Sequence, residues 1–293
     1  MSKVVALSLF ILSACATTGV NQSFTKRDPA GTCEVTFACL PYVPSLPNEI
    51  DHDLTPVLVL GVSGRSLAHL PTDLSVFSPK AQDAITYPPS PHGIATIKVG
   101  NNLDYQTQDL KDGKAISQFK TRAEFSTIGA KDSTAYGEGD FRVYRTAIRL
   151  HTGWNWDDSI AIFTQFKRIS AGPDMFLAVK NKNIVLRIGR NGAPNASQTT
   201  IISNVSLDEW IEIILSVNWS YSDAGNVKSF YRYSSEQSYH NVTAIPGKNL
   251  QDPSRASYLK FGIYKPDNFS SNSPSTAAQS LDIGNISIFR SSN

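Results

Sequence analysis

From Ile211 to Trp219 every second residue is apolar, so Ile211, Ile213, Leu215, Val217 and Trp219 share one face of an extended chain. That period predicts a half-buried strand and argues against a helix. Short runs rich in β-branched and aromatic residues recur at 94–99, 115–126, 141–150, 159–167, 175–180, 184–190, 199–203, 227–233, 257–264 and 280–290. Gly, Asn and Asp separate them, as turns require. The pattern predicts an all-β protein, either a sandwich or a closed jelly roll. No repeat of solenoid or propeller length is visible, and the Ser/Asn-rich stretch 269–275 reads as a surface loop.

Before residue 91 the texture differs. Pro41, Pro44, Pro47, Pro56, Pro71, Pro79, Pro88, Pro89 and Pro91 interrupt every periodic run and exclude long helices. The run Val57, Leu58, Val59, Leu60 predicts one buried strand. Residues 21–90 therefore read as an arm packed on the main core of 91–293, with a separate small domain as the alternative.

Residues 1–20 carry Lys3, an apolar run from Val4 to Leu12, and then small residues, which is the pattern of a secretory signal peptide. The run is shorter than the roughly 20 residues a membrane-spanning helix needs. Leu12-Ser13-Ala14-Cys15 also matches the lipidation signal of bacterial lipoproteins. Against that, Asn21, Asn195, Asn204, Asn218, Asn241, Asn268 and Asn285 each open an Asn-x-Ser/Thr acceptor, and Lys26-Arg27 forms a dibasic processing site. These favour a secreted, extracellular eukaryotic glycoprotein. With Cys15 removed in the signal peptide, Cys33 and Cys39 form an even pair, and export predicts a disulfide between them.

At 41% hydrophobic and 18% charged residues, the chain has material for a sizeable core. A net charge of +2 and the lack of any basic run exclude a nucleic-acid partner held by a broad electrostatic field. An acidic ligand must be held by local cations. There is no phosphate loop, zinc-spaced Cys/His set or serine-elbow motif. No cofactor is required, although Asp157 and Asp158 offer oxygen ligands for a structural calcium. Trp154 and Trp156 could stack on sugars, but buried aromatics are commoner at a strand start. A monomer is expected.

Three strands carry the candidate chemistry. In Arg122-Ala123-Glu124-Phe125, Arg122 and Glu124 project from the same face, so the carboxylate can brace the guanidinium. In Thr164-Gln165-Phe166-Lys167, Gln165 and Lys167 share a face. In Tyr258-Leu259-Lys260-Phe261-Gly262-Ile263-Tyr264, the residues Tyr258, Lys260, Gly262 and Tyr264 point one way, with Leu259, Phe261 and Ile263 opposite them. Gly262 would leave room for a sugar ring between Lys260 and Tyr264.

In this order the three strands resemble the signature strands of jelly-roll polysaccharide lyases, of the heparin-lyase-like, glucuronan lyase and alginate lyase type. The resemblance covers about 90–290, including Asp208-Glu209-Trp210 and the turn Asp223-Ala224-Gly225-Asn226. It implies a concanavalin-like β-jelly roll of antiparallel sheets and cleavage of an acidic polysaccharide by β-elimination. It also implies that Arg122 and Gln165 hold the uronate carboxylate, that Lys260 or Lys167 assists, and that Tyr264 moves the proton, with Glu124 and Tyr258 beside the substrate.

The chain departs from the family where Lys167 stands at the position of the family histidine. An ordinary lysine, with a pKa of about 10.4, neutralises charge at neutral pH better than it abstracts protons. Tyr264 is then left as both base and acid, which requires the C5 proton and C4 oxygen on one face of the sugar. β-Glucuronate and β-mannuronate meet that condition, and a glucuronan-like polymer is the first expectation. The phenol, with an ordinary pKa of about 10, needs nearby cations to take this role. His52, His69, His92, His151 and His240 lie outside the signature strands and are only reserve bases. A non-catalytic carbohydrate-binding sandwich is the main rival. A glycoside hydrolase would need two flanking carboxylates, and Glu209 and Glu212 do not share a strand face.

Overall fold

A computed structural model describes residues 47, 50, 53–60, 75–77, 84–86, 95–100, 105–111, 114–128, 134–156, 159–189, 196–251, 255–270 and 278–291. The signal peptide, Cys15, Cys33, Cys39, Asn21, Asn195, His52, His69, His92, Asp157 and Asp158 lie outside the described residues. Sixteen strands are described: β1 (Leu54–Leu60), β2 (Ser75–Phe77), β3 (Ile85–Thr86), β4 (Ala95–Val99), β5 (Tyr105–Lys111), β6 (Lys114–Ser126), β7 (Phe141–Leu150) and β8 (Ala161–Arg168). They continue as β9 (Pro173–Lys180), β10 (Asn183–Ile188), β11 (Ser197–Ile202), β12 (Ile211–Asn218), β13 (Asn226–Tyr233), β14 (His240–Pro246), β15 (Ser257–Ser270) and β16 (Gln279–Ser291).

The strands form two eight-stranded sheets whose pairs are antiparallel, a jelly-roll sandwich. The first sheet runs β14-β13-β12-β7-β16-β4-β3, with β1 also on β16; the second runs β11-β10-β9-β8-β15-β6-β2, with β5 also on β6. Between them lies one apolar core. Its second-sheet side includes Ala123, Phe125, Phe166, Leu259, Phe261 and Ile263, and its first-sheet side includes Ile211, Ile213, Leu215 and Val217. At one end Trp219 stacks on Tyr136, with ring centroids 4.0 Å apart, and its indole N–H donates to the Tyr144 hydroxyl at 2.9 Å. Trp154 is buried in the same core and Trp156 packs beside it.

The structure alters several expectations. β12 is not half-buried: both its faces are covered. Ile214, on the face opposite the main core, packs with Ile50, Val143, Phe230 and Phe289. Beside it the fully buried Glu212 pairs with Arg145 and with Arg232 Nε at 2.8 Å, and accepts a bond from the Tyr239 hydroxyl at 2.7 Å. β1 is longer than the 57–60 run; Val57 and Leu58 are only half-buried, and Pro56 sits beside a register irregularity. In the Pro-rich segment, β1, β2 and β3 pair with β16, β6 and β4. Asn181 and Lys182 link β9 to β10 with φ of 47° and 61°, the conformation of a tight hairpin turn.

Candidate active site

The central strands of the second sheet, β8, β15 and β6, carry the candidate residues. Register sets Tyr264 opposite Arg122, Gly262 opposite Glu124, Lys260 opposite Gln165, and Tyr258 opposite Lys167. Because Leu259, Phe261, Ile263, Ala123, Phe125 and Phe166 face the core, alternation turns Arg122, Glu124, Gln165, Lys167, Tyr258, Lys260 and Tyr264 to the other face.

Glu124 is the hub of that face. Its side chain is 2% exposed, and it accepts hydrogen bonds from Arg122 Nε and from Gln165 Nε2. Lys260 Nζ lies 3.8 Å from the same carboxylate and is 3% exposed. Three strands thus converge on one anion, which fixes the rotamers of its partners. Lys167 Nζ donates to the Ala171 carbonyl. The guanidinium of Arg122, 17% exposed, lies 4.7 Å from the centre of the Tyr264 ring. Tyr264 packs by its other contacts against Ile160, Ile162, Phe176, Ala178 and Val185.

Arg122, Lys167 and Lys260 thus gather around the carboxylate of Glu124 on this face. Burial lowers the Lys260 pKa to about 8; Glu124 opposes the shift, and Arg122 and Lys167 add to it. At neutral pH the ammonium is still mostly protonated. Tyr258, read from the sequence as a substrate contact, is buried, and its ring centre lies 6.0 Å from Lys260 Nζ. Burial raises its pKa, Arg122 tempering the rise and Glu124 adding to it, which keeps the phenol protonated.

Gly262 does not serve as an open gap. Its φ is +149°, and a Cβ there would lie 2.2 Å from the Ala123 carbonyl oxygen and 2.6 Å from Glu124 Cα. The glycine permits the close approach of β15 to β6 and so sets the position of the hub. Beyond Tyr264 the next pairing with β6 is Phe269 with Lys120, so β15 bulges around Pro266, which has no N–H for the ladder.

The described histidines have carboxylate partners elsewhere. His151 Nε2 lies 2.9 Å from Asp282, and His240 Nε2, at the start of the edge strand β14, lies 2.8 Å from Glu236 in the connection before it. Among the described residues no group of three His, Cys, Asp or Glu could hold a metal ion, and no helix is long and apolar enough to cross a membrane. The sequence reading missed the apolar patch beside Tyr264. Its only local signal is that Ile162, Phe176 and Ala178 are apolar at positions facing away from the core.

Fold and face together define a β-sandwich with a cluster of cationic side chains on the outer face of one sheet. The family model for polysaccharide lyases matches residues 97–284, and the chain belongs to that family of enzymes. Among solved structures it is similar to an endo-β-1,4-glucuronan lyase from the fungus Trichoderma reesei, at 13% identity over 65% of this chain and 89% of that one, with a TM-score of 0.43. It is also similar to an alginate lyase from a Corynebacterium species, at 12% identity over 72% and 82% of the two chains, with a TM-score of 0.47. A further alginate lyase, of polysaccharide lyase family 7, gives 11% identity over 72% and 84%, with a TM-score of 0.46. No curated protein matches the chain by sequence.

Proposed function

We propose that this lyase is secreted and cleaves a glucuronan-like uronate polymer by β-elimination. The observation that supports the reading is the face of the second sheet where Arg122, Gln165 and Lys260 converge on Glu124, with Tyr264 lying against Arg122.

Elimination removes the C5 proton and expels the C4 oxygen, leaving a double bond between C4 and C5. Its barrier lies in placing carbanion charge beside a carboxylate, so that carboxylate must be neutralised first. Arg122 and Gln165, both oriented by Glu124, present the guanidinium charge and the amide that bind the uronate carboxylate. Lys260 and Lys167 supply the remaining positive charge. Tyr264 takes the C5 proton and returns one to the departing C4 oxygen, acting on one face of the sugar.

The test incubates the purified protein with glucuronan, mannuronan, guluronan and a neutral glucan, and follows the ultraviolet absorbance of the unsaturated product. Product from glucuronan, less from guluronan and none from the neutral polymer is expected. Binding of glucuronan with no product from any polymer would make the protein a carbohydrate-binding sandwich instead. Secretion is checked by expressing the full chain in eukaryotic cells, with intracellular retention counting against it.

A further inference from the structure

The register of the second sheet sets one straight row across five strands. Lys260 on β15 is opposite Gln165 on β8, Gln165 is opposite Phe176 on β9, Phe176 is opposite Arg187 on β10, and Arg187 is opposite Gln198 on β11. Leu186 and Ile188, the neighbours of Arg187 in sequence, are buried in the main core, so Arg187 projects from the same face as Gln165. Its guanidinium lies 5.9 Å from the centre of the buried Phe176 ring. Arg187 is half-buried and has no ion-pair partner among the described residues, whereas Arg122, Arg145, Arg149, Arg168 and Arg232 each have a carboxylate. A cation held on an aromatic ring beside a polysaccharide site, with no internal counter-charge, is suited to a ligand anion.

We propose that Arg187 forms a second carboxylate subsite, binding the uronate two units along the chain from the one held at Gln165. Two strand spacings separate the positions, on the order of 10 Å. That is close to the repeat of two sugars in an extended 1,4-linked β-pyranose ribbon. Adjacent units of such a ribbon are turned over, so carboxylates recur on one side at every second unit. The intervening unit, at the level of Phe176, turns its carboxylate away from the sheet, where the row presents no polar group. The row therefore selects chains with uronates on both alternate units and gains little from a single uronate. This rests on the assignment of the Arg122 and Gln165 face as the substrate site.

The experiment is calorimetric and is run in a Tyr264→Phe background so that the oligomers are bound and not cleaved; in the titrations wild type refers to position 187. Oligoglucuronates of two to six units, and a carboxyl-reduced hexamer, are titrated into wild type, Arg187→Met and Arg187→Lys, with thermal unfolding confirming the fold of each. Wild type should bind the longer uronates about tenfold or more tightly than Arg187→Met does. Arg187→Lys should recover part of that difference, and the dimer and the carboxyl-reduced hexamer should not separate the variants. Equal affinity of wild type and Arg187→Met for every oligomer overturns the subsite. A product assay on wild type separately decides whether the face is a lyase site at all.

Discussion

Lys260 gives the most quantitative test of the site. Its ammonium is buried beside a carboxylate already shared by Arg122 and Gln165, and its pKa falls from 10.5 to about 8. At about 1.4 kcal/mol per pKa unit, the charged form costs the fold on the order of 3 kcal/mol relative to the neutral amine. Linkage fixes the sign. Below about pH 8 both folded and unfolded chains carry the proton and the full cost is present. Between about 8 and 10.5 the unfolded chain holds a proton that the folded chain has lost, so this group makes the wild type more stable as pH rises. Lys260→Met removes the charge and keeps an unbranched side chain. Urea unfolding of both proteins should find the variant more stable at pH 7, by up to that amount, with the advantage shrinking toward pH 10.5. The same variant should bind uronates more weakly at pH 7. A stability difference that does not change with pH across this window would refute the argument that Lys260 is a strained buried cation.

Three further outcomes are expected. Tyr264→Phe removes only the oxygen, so polymer affinity should hold while the elimination rate falls about a hundredfold to ten-thousandfold; Lys167→Ala should cost much less, and a full rate in the phenylalanine variant would remove Tyr264 from the chemistry. Gly262→Ala drives a methyl group into the backbone of β6 and should destabilise the fold by on the order of 2 kcal/mol or more in urea. Near-wild-type stability would show that the close approach of β15 and β6 is easily relaxed. Glu212→Ala leaves Arg145 and Arg232 buried without their shared carboxylate, which should cost about 3–5 kcal/mol; a loss below about 1 kcal/mol would mean that water reaches the pair.

Alternation made most of the strands legible, because period two depends only on local geometry. β7 spans Phe141–Leu150, where the apolar and polar pattern predicts it. β5 and β14 escaped because Tyr105–Lys111 and His240–Pro246 have no apolar alternation; their neighbours β6 and β13 hold them as strands. The second covered face of β12 was not readable either. Ile214 and Glu212 need Val143, Phe230, Arg145 and Arg232 from other strands, and no local spacing reports them. The same limit applies to the site. Spacing put Arg122 and Glu124 on one face, but only the order β8-β15-β6 brings Gln165 and Lys260 to the same carboxylate. The role of Gly262 is likewise beyond local spacing, since it depends on how close β6 lies.

The sheet order also governs when the protein can fold during synthesis. The last two described strands occupy central places: β15 lies between β8 and β6, and β16 between β7 and β4. A nascent chain that ends before Ser257 has the second sheet in two disconnected parts and the first in three, since β1 also pairs only with β16, with apolar strands exposed along the gaps. Such a chain must wait for β15 and β16, at a high loop-closure cost and with edges open to aggregation. Truncation before Ser257 should therefore abolish the fold outright, and slow codons or chaperones acting while β15 and β16 emerge would have more leverage on yield than those acting on the earlier strands.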